Sequence, residues 1–166
     1  MKRKLMWSVL IGAAILASAA TALATPPEGF TSTTLGEGPF ASYDVENYFI
    51  PAKGKPWISW LKTQGKSDGY VISNVWEPGG TTGWHTHPGP TFVIVTEGTV
   101  THYDGDDPSC TPHVYSAGMA FVDRGGKHVH IVRNEGSVEA QIVGFRLAPS
   151  GQSTRIDEPA PGNCPF

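Results

Sequence analysis

The chain has 166 residues, with 12 Lys and Arg against 15 Asp and Glu, a formal charge of −3 and only 16% charged residues. That length holds one domain with a substantial core, and the acidic balance excludes the basic footprint of a nucleic-acid or anionic-membrane binder. With 20 Gly, 14 Pro and no sustained helical period beyond the N-terminus, the pattern is all-β: short strands punctuated by turns, a sandwich or small barrel.

In chain order, Lys2, Arg3 and Lys4 form a basic start, residues 5–20 an apolar run, and Ala22-Leu23-Ala24 a small-x-small cleavage pattern before Pro26-Pro27. This reads as a secretory signal peptide over residues 1–24. Its removal leaves 142 residues and, because it carries three cations and no acid, takes the charge from −3 to −6. No stable membrane insertion is expected after cleavage, and the mature protein is expected in a periplasmic or extracellular compartment. Residues 25–66 read as an N-terminal arm, polar and turn-rich to Pro56, whose Phe30, Phe40, Tyr43, Tyr48, Phe49 and Ile50 pack it on a barrel or on a second subunit. Residues 67–150 read as the barrel and 151–166 as a C-terminal tail.

Strands are predicted at 57–61, 70–76, 91–96, 99–103, 113–115, 119–122, 129–132 and 140–147. Between them lie the turn signals Glu77-Pro78-Gly79-Gly80, Glu97-Gly98, the Asp104 to Pro108 cluster, Arg124-Gly125-Gly126 and Asn134-Glu135-Gly136. Period-2 alternation turns Thr91, Val93 and Val95 to one face and Phe92 and Ile94 to the other. Trp76 and Trp84 read as core fillers, and one of His102 and Tyr103 faces inward. The two cysteines, Cys110 and Cys164, are expected to pair in an oxidising compartment, tethering the tail to the Asp106–Pro112 loop. The chain-entropy model assigns such a bridge about 4 kcal/mol.

Four of the six histidines fall in two His-x-His pairs, His85 with His87 and His128 with His130. In a strand, residues i and i+2 leave the same face, so each pair can present both imidazoles to one ion. Imidazole is the commonest ligand for zinc, iron, nickel and copper, which makes a histidine-rich metal centre the leading reading.

The stretch GGTTGWHTHPGPTFVIVTEG resembles the first motif of the cupin superfamily: Gly, five residues, His-x-His, three or four residues, Glu, six residues, Gly. Gly79, His85, His87 and Gly98 match it, with Thr91 where the glutamate belongs. The second motif is matched more loosely. Gly118 opens it and His130 and Asn134 keep its closing His-x-x-x-Asn, while Arg124-Gly125-Gly126 stands for Pro-x-Gly with one residue inserted. The resemblance covers roughly residues 70–149 and implies a double-stranded β-helix, a jelly-roll barrel with a metal inside. It makes His85, His87 and His130 the ligands of a divalent ion, Fe(II) first, with Zn, Mn or Ni as alternatives. Counting from Gly125 selects His128 as third ligand instead; His130 is preferred because strands hold register better than turns.

Thr91, His128, His102 and Asn134 are then candidate pocket residues, Asn134 more as a brace of its own turn. Asp123 and Arg124 default to a solvated hairpin tip. Without the glutamate, three neutral imidazoles leave positions open for water, dioxygen or a chelating substrate. The opposing reading of Thr91 is a site declined into a metal-free pocket. The function implied is a dioxygenase-type oxidoreductase acting on a small oxygen-donor substrate. The alternatives are a non-catalytic small-ligand-binding or sensing cupin and a metal-assisted isomerase or hydrolase. No catalytic side chain is assigned, and a homodimer is the family-based expectation.

Overall fold

Runs of Val, Ile, Thr and aromatic residues at alternate positions become strands throughout the computed structural model, which describes residues 24–166. The proposed leader lies outside the described residues except for Ala24. In chain order the strands are β1 (Glu28–Phe40), β2 (Asp44–Phe49), β3 (Trp57–Lys62), β4 (Ser67–Thr81), β5 (His85–Thr86), β6 (Thr91–Glu97), β7 (Thr99–Asp104), β8 (His113–Ser116), β9 (Ala120–Asp123), β10 (His130–Arg133), β11 (Ala140–Pro149) and β12 (Ile156–Asp157). All but β2 and β3 join one antiparallel sheet, with β12-β5-β10-β4-β11-β6-β9 as its backbone order. The sheet curls on itself into a jelly-roll barrel. Among the described residues no helix is long and apolar enough to cross a membrane.

Alternation decides which side chains fill the barrel. Thr91, Val93 and Val95 of β6 are buried, as are Ile72, Asn74 and Trp76 of β4 and Ala140 and Ile142 of β11, while Phe92 and Ile94 remain 44% and 55% exposed. One end of the barrel is a dry core of Trp76, Val95, Val100, Val132, Ala140 and Ile142. The Val and Ile side chains of this core each contribute roughly 1.5–3 kcal/mol on burial, which anchors the opposite end, where the polar side chains gather. Gly98 makes the β6–β7 turn at φ 63°, and a Cβ there would strike the Glu139 carbonyl, so only glycine serves. Trp84, Tyr103 and Ile131 form a second apolar cluster beside the cysteines.

The N-terminal arm departs from its reading as turn-rich chain. β1 runs thirteen residues and pairs with β4 from Glu28↔Thr81 to Phe40↔Ser67. Thr31, Thr33 and Thr34 look polar in sequence, but threonine is β-branched, and an outer strand covered on one side has no need of apolar alternation.

The β2–β3 hairpin forms a sheet of its own. Its cross-strand pairs put Asp44, Lys62 and Trp60 on one face, where Lys62 Nζ lies 2.6 Å from Asp44 and 5.8 Å from the centre of the Trp60 ring. The other face presents Val45, Phe49, Trp57 and Leu61, all exposed.

Cys110 and Cys164 form a disulfide. The tail it holds is threaded back against the barrel: β12 pairs with β5 through Ile156↔Thr86 and Asp157↔His85. Ala24 bridges to Pro159, and Thr25 Oγ1 accepts a 2.6 Å hydrogen bond from the Trp84 amide, so both flanks of the described chain brace the loop before His85.

Candidate metal centre

Two strands deliver the histidines. His85 and His87 straddle the short β5, and β10 is antiparallel to it with His130 directly opposite His85. The rings converge with centroid separations of 4.7 Å (His85–His87), 4.3 Å (His85–His130) and 5.3 Å (His87–His130), and all three residues are no more than 3% exposed. One nitrogen from each lies within 4.8 Å of the others. Of the two contenders for third place, His130 is the residue beside the pair.

Tautomers follow from the partners. His85 Nδ1 donates to the Gly83 carbonyl at 2.9 Å, His87 Nδ1 to Thr154 O at 2.7 Å and His130 Nδ1 to His128 O at 3.2 Å. A carbonyl only accepts, so each proton sits on Nδ1 and each Nε2 turns a lone pair into the barrel. Burial, reinforced by cationic neighbours, holds the His85 pKa well below its ordinary value and brings His87 down to about 2; burial chiefly brings His130 down to about 4. At neutral pH no proton competes for these lone pairs.

Thr91 is buried at 2%, flanked on one side by Asp123 of β9 and on the other by Arg146 of β11. Asp123 corrects the expectation of a solvated tip: it is 4% exposed, because the turn at Gly125 packs so tightly under Gly89 that a Cβ there would collide with the Gly89 carbonyl. Its Oδ1 accepts from the Gly125 amide at 3.0 Å. Its Oδ2 lies 3.4 Å from His87 Nε2 and 3.5 Å from His130 Nε2, with no hydrogen-bond partner. Burial raises the Asp123 pKa. A carboxylate oxygen thus faces the Nε2 lone pair of His130 and that of His87, which an Arg146 N–H also approaches at 3.3 Å, an arrangement a shared cation satisfies. The donor set therefore fits a divalent metal. The glutamate missing at position 91 is matched by a carboxylate one strand over.

Arg146 went unread in the sequence. Its Nε donates to Thr91 Oγ1 at 3.0 Å, one Nη to Thr154 O at 3.3 Å, and the other lies 3.3 Å from His87 Nε2. Burial brings its pKa down to about 10, so it stays cationic. The alternation Ala140, Ile142, Gly144, Arg146 along β11 carries the signal that turns it inward. These groups surround a cavity of about 40 Å³, closed below by Trp76 and Ile142.

His102 enters from β7, its ring stacked on His130 at 5.1 Å, and its pKa is lowered by burial. His128 lies further toward the mouth, 5.9 Å from the His130 ring. Asn134, at 1% exposure, lies away from the cavity. Its amide donates to the carbonyls of Trp76, Glu77 and Val138 while Oδ1 accepts from Gly136, which closes the turn. Arg124 is exposed.

Residues 75–145 match the family model described as a cupin domain. No curated protein matches the chain. Among solved structures it is similar to an oxalate oxidase (24% identity, 49% of this chain and 46% of that one, TM-score 0.41). It is also similar to a cupin-like protein from Thermotoga maritima (22%, 55% and 65%, 0.44) and to a cupin domain from Bordetella pertussis (17%, 65% and 96%, 0.42). The match spans less than half of the oxalate oxidase chain.

Proposed function

From the premise that this chain belongs to the cupin superfamily, we propose that it is an exported metal-dependent oxidoreductase of the dioxygenase type, acting on a small anionic oxygen-donor substrate. His85, His87 and His130 would hold the ion, with Asp123 as the adjoining carboxylate. When bound, a redox-active divalent ion such as Fe(II) supplies Lewis acidity and access to dioxygen chemistry. The observation that carries the reading is the buried Asp123 Oδ2, partnerless and 3.4 Å and 3.5 Å from two imidazole lone pairs.

The chain's own residues do the rest. The carbonyls of Gly83, Thr154 and His128 fix the ring orientations, so the donor atoms are arranged before any ion arrives. Arg146, held by Thr91 and the Thr154 carbonyl, offers a charged donor to a substrate carboxylate or enolate oxygen within the cavity. The small volume limits the reacting part of the substrate to a few heavy atoms, and the apolar floor excludes bulk water. Export is supported by the basic, apolar and small-x-small order of residues 1–24 and by the Cys110–Cys164 disulfide.

The test is elemental analysis of anaerobically purified protein, followed by oxygen-uptake assays against small hydroxy and keto acids. The expected result is about one equivalent of iron or a related ion, lost in His85→Ala/His87→Ala, and oxygen uptake with an acid that also depends on Arg146. A second reading, a metal-free ligand pocket, is favoured by the Arg146 donor lying 3.3 Å from His87 Nε2, where an ion would seek the lone pair. Protein that folds, binds the acid and takes up no ion would establish that reading instead.

A further inference from the structure

Beyond the barrel interior, the ends of β7, β8 and the approach to β10 bring a second set of ligating groups together. Asp104 lies two residues beyond His102 on β7, so both leave the same face; His113 of β8 is paired with His102, and Asp104 with His130. Asp104 Oδ1 lies 2.9 Å from His128 Nε2 and 3.5 Å from His102 Nδ1, and its Oδ2 lies 3.5 Å from His113 Nε2. Asp106 Oδ1 stands 3.7 Å from the same His128 nitrogen.

Hydrogen bonding does not account for this cluster. The His128 side chain is only 10% exposed, yet neither of its ring nitrogens has a hydrogen-bond partner, because the 2.9 Å approach to Asp104 is out of line for N–H donation. An imidazole nine-tenths buried and unpartnered, aimed at a carboxylate that two other imidazoles also approach, has the geometry of a shared cation. Donor atoms around one ion with bonds of ~2.0–2.2 Å lie roughly 3–3.5 Å apart; His128 Nε2 lies 2.9 Å from Asp104 and 3.7 Å from Asp106, and the three ligand atoms all fall within 4.8 Å of one another. Two carboxylates with imidazoles are the ligands of a borderline divalent ion.

We propose that Asp104, Asp106 and His128, whose ligand atoms all lie within 4.8 Å of one another, form a second divalent-metal site of the zinc or manganese class at the mouth of the barrel, with His113 beside it. It shares no ligand with the centre at His85, His87 and His130, although a nitrogen of His128 also comes within 4.8 Å of Asp123 and His130. The 6.3 Å stacking of His102 on His128 and its 5.1 Å stacking on His130 make His102 the wall between the two.

Equilibrium dialysis of the disulfide-intact, tag-free chain against Zn²⁺ alone tests this, with circular dichroism to confirm folding. Wild type should bind two equivalents. Asp104→Asn and Asp106→Asn should each weaken one of them at least about tenfold and leave the other unchanged; Asp106 is 74% exposed, so its replacement spares the core. His85→Ala/His87→Ala should retain the equivalent that Asp104→Asn loses. If that double variant retains an equivalent and wild type has no other, the mouth site stands and the barrel reading fails. A single equivalent lost with His85 and His87, or two equivalents both indifferent to Asp104 and Asp106, overturns the mouth site.

Discussion

Replacing Asp123 by Asn separates the demands of metal binding from those of folding, because the two respond with opposite sign. Asparagine keeps Oδ1 and with it the 3.0 Å bond from the Gly125 amide, so the turn is preserved. What changes is the atom 3.4 Å from His87 Nε2 and 3.5 Å from His130 Nε2, which loses its negative charge. At an effective dielectric of ~20, opposite unit charges ~4 Å apart attract by about 4 kcal/mol, and desolvation of the carboxylate offsets part of that. A net loss of about 1.4–2.8 kcal/mol is expected, a ten- to hundredfold weaker metal affinity. In the metal-free protein the same carboxylate is buried with Oδ2 unpartnered and its pKa raised by that burial, so removing its charge should leave urea stability equal or higher. The assay pairs competition for Fe(II) or Zn²⁺ against a chromophoric chelator with urea unfolding of the stripped protein. Unchanged metal affinity, or a stripped variant markedly less stable than wild type, would refute the assignment of Asp123 as the carboxylate of the centre.

Arg146→Gln removes a cation from beside His87, so metal affinity should hold or improve while affinity for small carboxylates falls ten- to hundredfold, the equivalent of a charged hydrogen bond of about 1.5–3 kcal/mol; calorimetry with metal and acid added in turn reads both. The pH dependence of the stripped protein follows from the buried imidazoles. The unfolded chain takes up protons at the ordinary histidine value of 6.5, whereas folded His130 and His102 resist until about 4. Stability is therefore complete above 6.5 and is lost as pH falls toward 4, on the order of 1–3 kcal/mol for each imidazole; urea titrations across that window giving a flat profile would contradict the neutral-imidazole reading. The apolar hairpin face of Val45, Phe49, Trp57 and Leu61 matches in character the exposed cross-strand row Val71, Phe145, Phe92 and Val122 on the outer sheet. Sedimentation should therefore find a dimer that Trp57→Asp and Phe92→Asp each convert to monomer, and a monomeric wild type would exclude that pairing.

Much of this molecule is written in period-2 patterns. Every predicted strand from residue 57 onward corresponds to an observed one, the Val93/Val95 inward face is as read, and the histidine spacing leads straight to the three convergent rings. The unread parts depend on contacts distant in sequence. β1 owes its form to pairing with β4 rather than to its own alternation. Asp123 looks like turn punctuation before Gly125-Gly126 until the close passage of Gly89 buries it. Arg146 sits in an apolar strand where a cation seems misplaced, and only its alignment beside Thr91 explains it. The glutamate's absence at Thr91 is legible, whereas the presence of a carboxylate beside it on the neighbouring strand is a fact of register.

The carbonyl that orients His87 belongs to Thr154, which is 67 residues downstream of it and lies between β11 and the disulfide-tethered end of the tail. Synthesis runs in one direction, so the centre has an order of assembly in time. The barrel strands and all three histidines are made before the segment that holds one of them in its tautomer, and that segment is secured by a bond that oxidation makes. Ligand geometry is then complete only after the tail has docked, so any ion that needs His87 in this tautomer would enter late in folding rather than template it.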